Sequence, residues 1–316
     1  METSVRLEPP PLPLIRAVDA ARMGRYPHAD RALRRLRPGV YAEKVAWDAL
    51  PEWDRYAARV HAYALTNPRA VFSHESAATL LGLPVFGHPR MIHLFDARRT
   101  SSLVHGDVVV HTSLDGRTMC DVGGLRTTSA SETAIDLGRC LPPALGLAVA
   151  DATIRVHGVT REQLRETADA QRSIRGRRRL QWILANADGA AESPAESISR
   201  AVAQWCGFPA PILQAEHRIG PRRYRSDLCW PEFRVLGEVD GWGKYTSGDS
   251  PEAVLRDEKR REDALRRIGW RVARWEYADA LTVDAMRESL LAAGLPLTGK
   301  PDTTSLHAVG RNPRSW

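Results

Sequence analysis

The feature that most constrains this chain is a pair of apolar runs that each end in acidic side chains. One run ends at Asp227, the next ends at Glu238 and Asp240, and residues 230–233 between them predict a tight hairpin connection. Residues two apart on a strand share a face, so Glu238 and Asp240 point the same way. If the strands pair, Asp227 lies beside Glu238. The sequence therefore predicts two or three carboxylates in a small volume at one sheet end, an arrangement that favours a cation.

The surrounding pattern predicts an α-β-β-β-α-β order of elements. Ser193 and Pro194 begin the first helix, and Gly269 follows the last turn of the second helix. Strand-like segments with turn signals at their ends lie before and after that second helix. The predicted bounds are 193–206 for the first helix, 212–219, 223–230 and 233–240 for three strands, 251–268 for the second helix and 271–275 for the last strand.

This order, with an acid on the first helix, one on the second strand and a pair on the third, resembles the PD-(D/E)xK nuclease superfamily. Within it, the text is similar to the domain related to very-short-patch-repair (Vsr-like) endonucleases. The resemblance implies an α/β domain that hydrolyses nucleic acid, DNA in particular, with Mg²⁺ or Mn²⁺. Three stretches carry it: DLCWPE at 227–232, GEVDGWGKY at 237–245 and EKRREDALRRIGWRVARW at 258–275.

On this resemblance, each acid takes a role in phosphodiester hydrolysis, which needs a metal, a water of lowered pKa and positive charge near the developing oxyanion. Asp227 and Glu238 would hold Mg²⁺, because that ion keeps several waters and needs only one or two carboxylates. Asp240 would bind a second ion or orient a water. Glu196, on the opening helix, would reach the same end of the sheet as an outer ligand.

The chain departs from the superfamily pattern at one position. The superfamily motif has lysine where this chain has Asp240, so Lys244 or Lys259 would have to supply the positive charge. Lys244 would steady the attacking hydroxide or the scissile phosphate. Lys259 lies four residues before Asp263 on one helix face, and a surface ion pair explains these two residues without any site.

The N-terminal part of the chain resembles AbiEi-family antitoxins, which begin with a small winged helix-turn-helix. RALRRLRPGVYA at 31–42 places a basic run before a turn and a strand, and VFSHESAATLLGLPV at 71–85 predicts a helix that Ser73 caps. The resemblance implies an α+β region with a winged-helix-like start that binds DNA or a partner. Arg34 and Arg35 of the basic run are candidate nucleic-acid contacts.

Shifts in composition divide the chain into five parts, with the main boundary in the small polar stretch at 186–192. The predicted parts are a disordered proline-rich lead-in (1–13), a winged-helix-like AbiEi-type region (14–85), an α+β middle region (86–188), a nuclease-type domain (189–282) and a helix with a disordered tail (283–316).

Charge and composition bear on partners and location. The net charge of +7 favours an anionic partner such as nucleic acid. The basic stretch at 172–182, with Arg177 and Arg178, either contacts phosphate or is a solvated helix face. No apolar run of about 18 residues predicts a membrane span, and no signal-peptide core is recognisable. Four widely spaced cysteines are expected to be reduced thiols in a cytoplasmic protein.

The remaining polar residues are interpreted as structural. Asp136 and Asp151 are interpreted as polar residues on the surfaces of predicted helices, which need no function. Four histidines show no metal-ligand spacing, namely His74, His93, His105 and His111.

Two functions follow from these patterns. The first is a Mg²⁺-dependent DNA endonuclease or nickase that the N-terminal region steers or regulates. The second is an antitoxin-like transcriptional regulator with a catalytically silent nuclease-like domain, which Asp240 in place of lysine favours. A cognate toxin and a homodimer both stay open as partners.

Overall fold

The computed structural model describes residues 7–220, 222–240, 261 and 263–315. These residues form a mixture of helices and sheets, which confirms the α/β character expected from the sequence. The chain divides into two compact units. Unit 1 comprises Met1–Leu141, Val156–Leu180 and Asn312–Trp316, and unit 2 comprises Pro142–Arg155 and Gln181–Arg311. Among the helices described, none is long and apolar enough to cross a membrane.

Unit 1 contains two sheets built from the first nine strands. The strands are β1 (Ile15–Arg16), β2 (Leu33–Arg37), β3 (Val40–Glu43), β4 (Val71–Phe72), β5 (Ile92–Phe95), β6 (Leu103–His105), β7 (Val108–His111), β8 (Met119–Val122) and β9 (Leu125–Thr128). The smaller sheet has the order β1-β3-β2, and the larger has the order β6-β7-β5-β4-β9-β8 with both parallel and antiparallel pairs.

The helices lie between and after these strands. In chain order they are α1 (Ala17–Arg22), α2 (Lys44–Ala49), α3 (Glu52–Thr66), α4 (His74–Leu80), α5 (Ala130–Cys140), α6 (Pro143–His157), α7 (Arg161–Asp169), α8 (Arg177–Asn186), α9 (Pro194–Cys206), α10 (Tyr277–Thr282), α11 (Asp284–Ala292) and α12 (Thr303–Ala308).

The proline-rich lead-in takes part in the core of unit 1. Leu12 is buried in an apolar cluster with Ala42, Trp47 and Ala58. The sequence predicts disorder over residues 1–13, whereas the structure orders residues 7–13, because Leu12 buries its side chain there and so gains hydrophobic free energy. Proline richness alone does not reveal such an anchor.

Unit 2 is built on a four-stranded sheet of order β10-β11-β12-β13. Its strands are β10 (Ile212–Ile219), β11 (Arg222–Trp230), β12 (Val235–Asp240) and β13 (Arg271–Glu276), and a short 3₁₀ turn, Pro231–Phe233, connects β11 to β12. The first three strands are antiparallel neighbours, and β13 runs parallel to β12. These bounds confirm the predicted strands to within two residues at each end.

Helices cover both faces of this sheet. On one face the indole Nε1 of Trp275 donates a hydrogen bond to Ser199 Oγ of α9 over 2.8 Å. On the other face Leu265 packs against Cys229 and Leu236. Leu265 belongs to helical residues 263–267, near the end of the helix predicted over 251–268. Arg261 is also helical, and residues 251–260 and 262 lie outside the described residues.

The two-unit division differs from the predicted boundaries. The stretch 186–192 lies inside unit 2, where the Asp188 backbone N–H donates to Asp151 of α6 over 2.7 Å and Arg200 of α9 donates to the Asn186 carbonyl over 2.6 Å. Beyond residue 283, α11 is followed by the further helix α12, whose N-cap Asp302 accepts a hydrogen bond from the Ser305 backbone N–H. The predicted disordered tail therefore contains regular structure.

Candidate functional site: a carboxylate cluster in unit 2

The hydrogen-bonding ladders of the sheet break at Asp227. The β10–β11 ladder is regular except at Gln214 and Asp227, and Gln214 has a φ of +51°, which non-glycine residues seldom adopt. The β11–β12 ladder ends at the pair Leu228–Gly237, and the next two residues, Asp227 and Glu238, are not paired in it. The Asp227 carboxylate instead accepts a hydrogen bond from the Val239 backbone N–H over 2.9 Å. The break turns Asp227 toward β12, next to Glu238.

Glu238 is buried at this end of the sheet, with 5% of its surface exposed. An ion pair joins its Oε1 to the guanidinium of Arg261. Burial raises the pKa of Glu238, the positive charge of Arg261 opposes that rise, and the negative charge of Asp227 adds to it. Asp227 therefore lies close enough to Glu238 for its negative charge to act on that residue.

Glu196 is held at the start of α9 by three donors. Ser193, the N-cap of α9, donates its hydroxyl to Glu196 Oε1 over 2.9 Å. Glu196 Oε2 accepts from the Glu192 backbone N–H over 2.9 Å and from the Gln214 side-chain amide over 2.7 Å. Burial raises the pKa of Glu196, and the negative charge of Asp227 contributes to the rise. Asp227 thus acts electrostatically on two glutamates, one from a helix and one from a strand.

Of the other predicted catalytic residues, Asp240 is the one that the structure describes. Asp240 is partly exposed at the end of β12, where its partner in the parallel ladder is Glu276. It shares the strand face of Glu238, as its two-residue spacing predicts. Lys244 and Lys259 lie outside the described residues.

In the arrangement observed, positive charge at the cluster comes from arginine. Arg261 contacts Glu238 directly. Across residues 7–220, 222–240, 261 and 263–315, no group of three or more His, Cys, Asp or Glu side chains is arranged to hold a metal ion. Two carboxylates, Asp227 and Glu238, are nevertheless enough for Mg²⁺, which retains several waters. The donor chemistry therefore fits this ion, provided that Arg261 withdraws from Glu238.

Two residues of the cluster, Arg261 and Gln214, were not predicted from the sequence. Arg261 lies one helical turn before the core residue Leu265, and that i,i+4 spacing is a signal that could have placed it over the sheet. Gln214, which donates to Glu196, gave no such signal, because its left-handed backbone conformation departs from regular strand geometry. Strand periodicity alone does not predict such an irregularity.

The predicted nucleic-acid contacts differ in their surroundings. Arg34 forms an ion pair with Asp48 over 3.2 Å, and its guanidinium lies 5.5 Å from the centre of the Trp47 ring. Arg35 is exposed on β2. Arg177 and Arg178 are exposed at the first two positions of α8. Within the part of the chain that the structure describes, Arg35, Arg177 and Arg178 form no side-chain hydrogen bond or ion pair.

Asp136 and Asp151 are not helix-surface residues, so that interpretation is wrong. They are 8% and 1% exposed, because α5 and the N-terminal part of α6 are buried on nearly every side. Asp136 forms an ion pair with Arg117 over 3.0 Å, and Asp151 forms one with Arg200. Burial raises the pKa of each carboxyl to about 6. Both residues have a structural explanation in these buried pairs.

Comparisons with known proteins place the chain near two mycobacterial relatives. These are uncharacterized proteins MT2308 and Rv2248 from two strains of Mycobacterium tuberculosis, CDC 1551 and H37Rv. Each is 32% identical to this chain over 166 residues, which cover 52% of this chain and 59% of the relative. The match thus spans less than two thirds of either relative. No family model and no solved structure matches the chain.

Proposed function

We propose that unit 2 is a metal-dependent phosphodiester hydrolase of the PD-(D/E)xK type that cuts or nicks nucleic acid, DNA in particular. The observation that carries this proposal is the position of the Asp227 carboxylate between two buried glutamates. It accepts a hydrogen bond from the Val239 backbone N–H, next to Glu238, and Gln214, which lies opposite Asp227 in the β10–β11 register, donates to Glu196. The order of α9, β10, β11, β12, helical residues 263–267 and β13 supports the superfamily assignment. The N-terminal region would bind DNA or a partner, as its AbiEi-like text implies.

The cluster has an electrostatic reason to take up a cation. Two of its carboxyls have raised pKa values, because they are buried and share a negative neighbour. A divalent ion between Asp227 and Glu238 would relieve that repulsion. Mg²⁺ or Mn²⁺, when bound, supplies charge for the scissile phosphate and lowers the pKa of a water.

The residues of the chain would divide the remaining work. Glu196, with its raised pKa and its fixed orientation, would accept a proton from the attacking water. Asp240 would orient that water or hold a second ion. Arg261, once released from Glu238, would pair with a phosphate oxygen, for which its guanidinium geometry is suited. Lys244 is a second candidate for that positive charge.

A plasmid-nicking assay tests this proposal. The full chain is incubated with supercoiled DNA and Mg²⁺ or Mn²⁺, next to the variants D227N and E238Q. The matched control is E232Q, because Glu232 is an exposed acid in the turn of the same hairpin. We expect activity to fall by about 10²-fold or more in D227N and E238Q and to persist in E232Q. Equal nicking by all four proteins, or none by the wild type on single- and double-stranded substrates, would contradict the proposal.

A second candidate function is favoured by the Arg261–Glu238 ion pair. If Arg261 stays on Glu238, it neutralises the cluster without a metal, and unit 2 is catalytically silent. The protein would then be an antitoxin-like transcriptional regulator that acts together with a toxin or as a homodimer. It would then bind DNA from its own upstream region in a gel-shift assay at about 0.1 M salt. That binding would weaken as salt is added and would not change with EDTA. Nicking that EDTA abolishes excludes this candidate.

A further inference from the structure

A buried carboxylate in unit 1 receives its balancing charge from a residue far along the chain. Glu75, on α4, is 2% exposed. Arg314 binds it with two nitrogens: Nε contacts Oε1, and Nη2 donates to Oε2 over 2.6 Å. The two residues are 239 positions apart. Fork-to-fork pairing of this kind is among the stronger and more directional contacts that a side chain can make.

The residues on either side of Arg314 are also bound by specific groups. Asn312 donates its side-chain amide to the Phe86 carbonyl over 3.0 Å. Ser315 Oγ accepts a hydrogen bond from the His88 backbone N–H over 2.8 Å. Between these two groups, a Cβ added to Gly87 would collide with the Ser315 side chain. The backbone at residues 86–88 is therefore shaped to the segment that it holds.

Three histidines that are scattered in the sequence line the same site. His93 Nε2 lies 3.4 Å from Glu75 Oε2 and 3.1 Å from Arg314 Nη2. His93 Nδ1 and His111 Nε2 share a hydrogen bond of 2.9 Å, and the rings of His74 and His111 stack at 4.0 Å. Burial lowers the pKa of His93 and His111 to about 4, so both rings are neutral near pH 7. Of these residues, only Arg314 carries a positive charge at that pH.

We infer that unit 1 contains a recognition site for a short arginine-bearing peptide segment, and that residues 312–315 of the chain are an exchangeable occupant of this site. The ligand class is an Asn-x-Arg-Ser sequence, read by the Glu75 carboxylate and the backbone of residues 86–88. A second copy of this chain can supply the same segment. The inference goes beyond the proposed function, because it uses no residue of the carboxylate cluster in unit 2.

The contacts that hold residues 312–315 are polar and directional. Polar groups make each of the contacts described for Asn312, Arg314 and Ser315, and the central carboxylate is buried. A buried charge without a partner is costly, so an empty site would favour any ligand that restores the guanidinium. The site therefore selects for arginine at one position of its ligand.

The experiment measures whether a free peptide enters the site when the chain's own arginine is removed. A fluorescein-labelled peptide with the sequence of residues 310–316 is titrated into three full-length proteins: wild type, R314A and the double variant E75Q/R314A. A second peptide carries lysine in place of arginine at the position of Arg314. Far-UV circular dichroism and thermal unfolding show whether each protein is folded. If R314A does not fold, R314K replaces it, because lysine keeps the charge and loses the two-pronged contact.

We expect the arginine peptide to bind R314A and to bind the wild type at least about tenfold more weakly, because the tethered segment competes at high effective concentration. We expect a loss of at least about tenfold with E75Q/R314A and with the lysine peptide, because both remove the bidentate pair. Absence of binding to a folded R314A or R314K protein would overturn the inference. Binding that is equal in R314A and E75Q/R314A would also overturn it.

Discussion

The carboxylate of Asp227 accepts a hydrogen bond from the backbone N–H of Val239, across 2.9 Å and between neighbouring strands. This bond takes the place of a ladder hydrogen bond and fixes a negative charge beside Glu238, the residue that precedes Val239. A side chain held by backbone in this way cannot turn away from its neighbours without leaving a partly buried N–H unpaired. The charge of Asp227 is therefore a fixed part of the environment of both glutamates.

Removing that charge should lower two pKa values at once. We expect D227N to lower the pKa of Glu196 and the pKa of Glu238, because the negative charge of Asp227 raises both. Asparagine retains an oxygen that can accept from Val239. Carbon-13 NMR titration of the glutamate carboxyls measures both values, and E232Q serves as the control. Unchanged values for either glutamate in D227N would refute the coupling.

Removing Arg261 should raise the pKa of Glu238 and have a much smaller effect on the pKa of Glu196. Because the charge of Arg261 opposes the rise in the pKa of Glu238, we expect R261Q to raise that pKa further. The pKa of Glu196 is raised by other causes, first burial and also the charge of Asp227. R261Q should therefore change that pKa much less. The same NMR titration checks this prediction. A fall in the pKa of Glu238 would show that Arg261 does not pair with it in solution.

Close packing at Gly237 gives a prediction for stability. A Cβ at this position would lie 2.5 Å from the Trp275 ring and 3.2 Å from the Trp230 ring. We expect G237A to lower the free energy of unfolding by about 1–3 kcal/mol, the usual cost of overfilling a core. Urea unfolding followed by tryptophan fluorescence measures the change. The control is G116A, because a Cβ at Gly116 would have no neighbour within 4 Å; equal effects of the two changes would argue against the packing described.

The buried carboxyl of Asp136 should make stability depend on pH. Its pKa is raised from 3.8 to about 6, chiefly by burial, so the folded state holds the proton more tightly than the unfolded state does. The stabilising contribution is complete below about pH 4 and is lost as the pH rises through about 6. We expect D136N to show a smaller loss of unfolding free energy than the wild type between pH 4 and pH 7.

Urea unfolding at a series of pH values tests this dependence. The control is E166Q, which changes an exposed acid on α7. The pH profile of E166Q should follow that of the wild type. A D136N profile that also follows the wild type would show that another group controls stability in this range.

The sequence predicted α9 and the four strands of the unit 2 sheet well, because their signals are local. Ser193 and Pro194 start α9 as predicted, and alternation along the chain places β10 at residues 212–219. The same alternation puts Glu238 and Asp240 on one strand face. Such signals act over a few residues and do not depend on the rest of the fold.

Residues far apart in the sequence were beyond such local signals. The helices that carry Asp136 and Asp151 were predicted, but their burial was not, because burial depends on what packs against a helix from elsewhere in the chain. Likewise, nothing in the spacing of His93 and His111 indicates that their rings share a hydrogen bond.

The sequence by itself determined where α9 and the four strands of the unit 2 sheet begin and end, to within two residues, and which acids lie on those strands. Only the tertiary structure decided which charge meets which: Arg261 on Glu238, and Arg314 on Glu75 across 239 positions. The physical reason is that backbone periodicity and capping are set by neighbours within a turn or two, whereas the free energy of a charge depends on its burial and on partners at any distance along the chain.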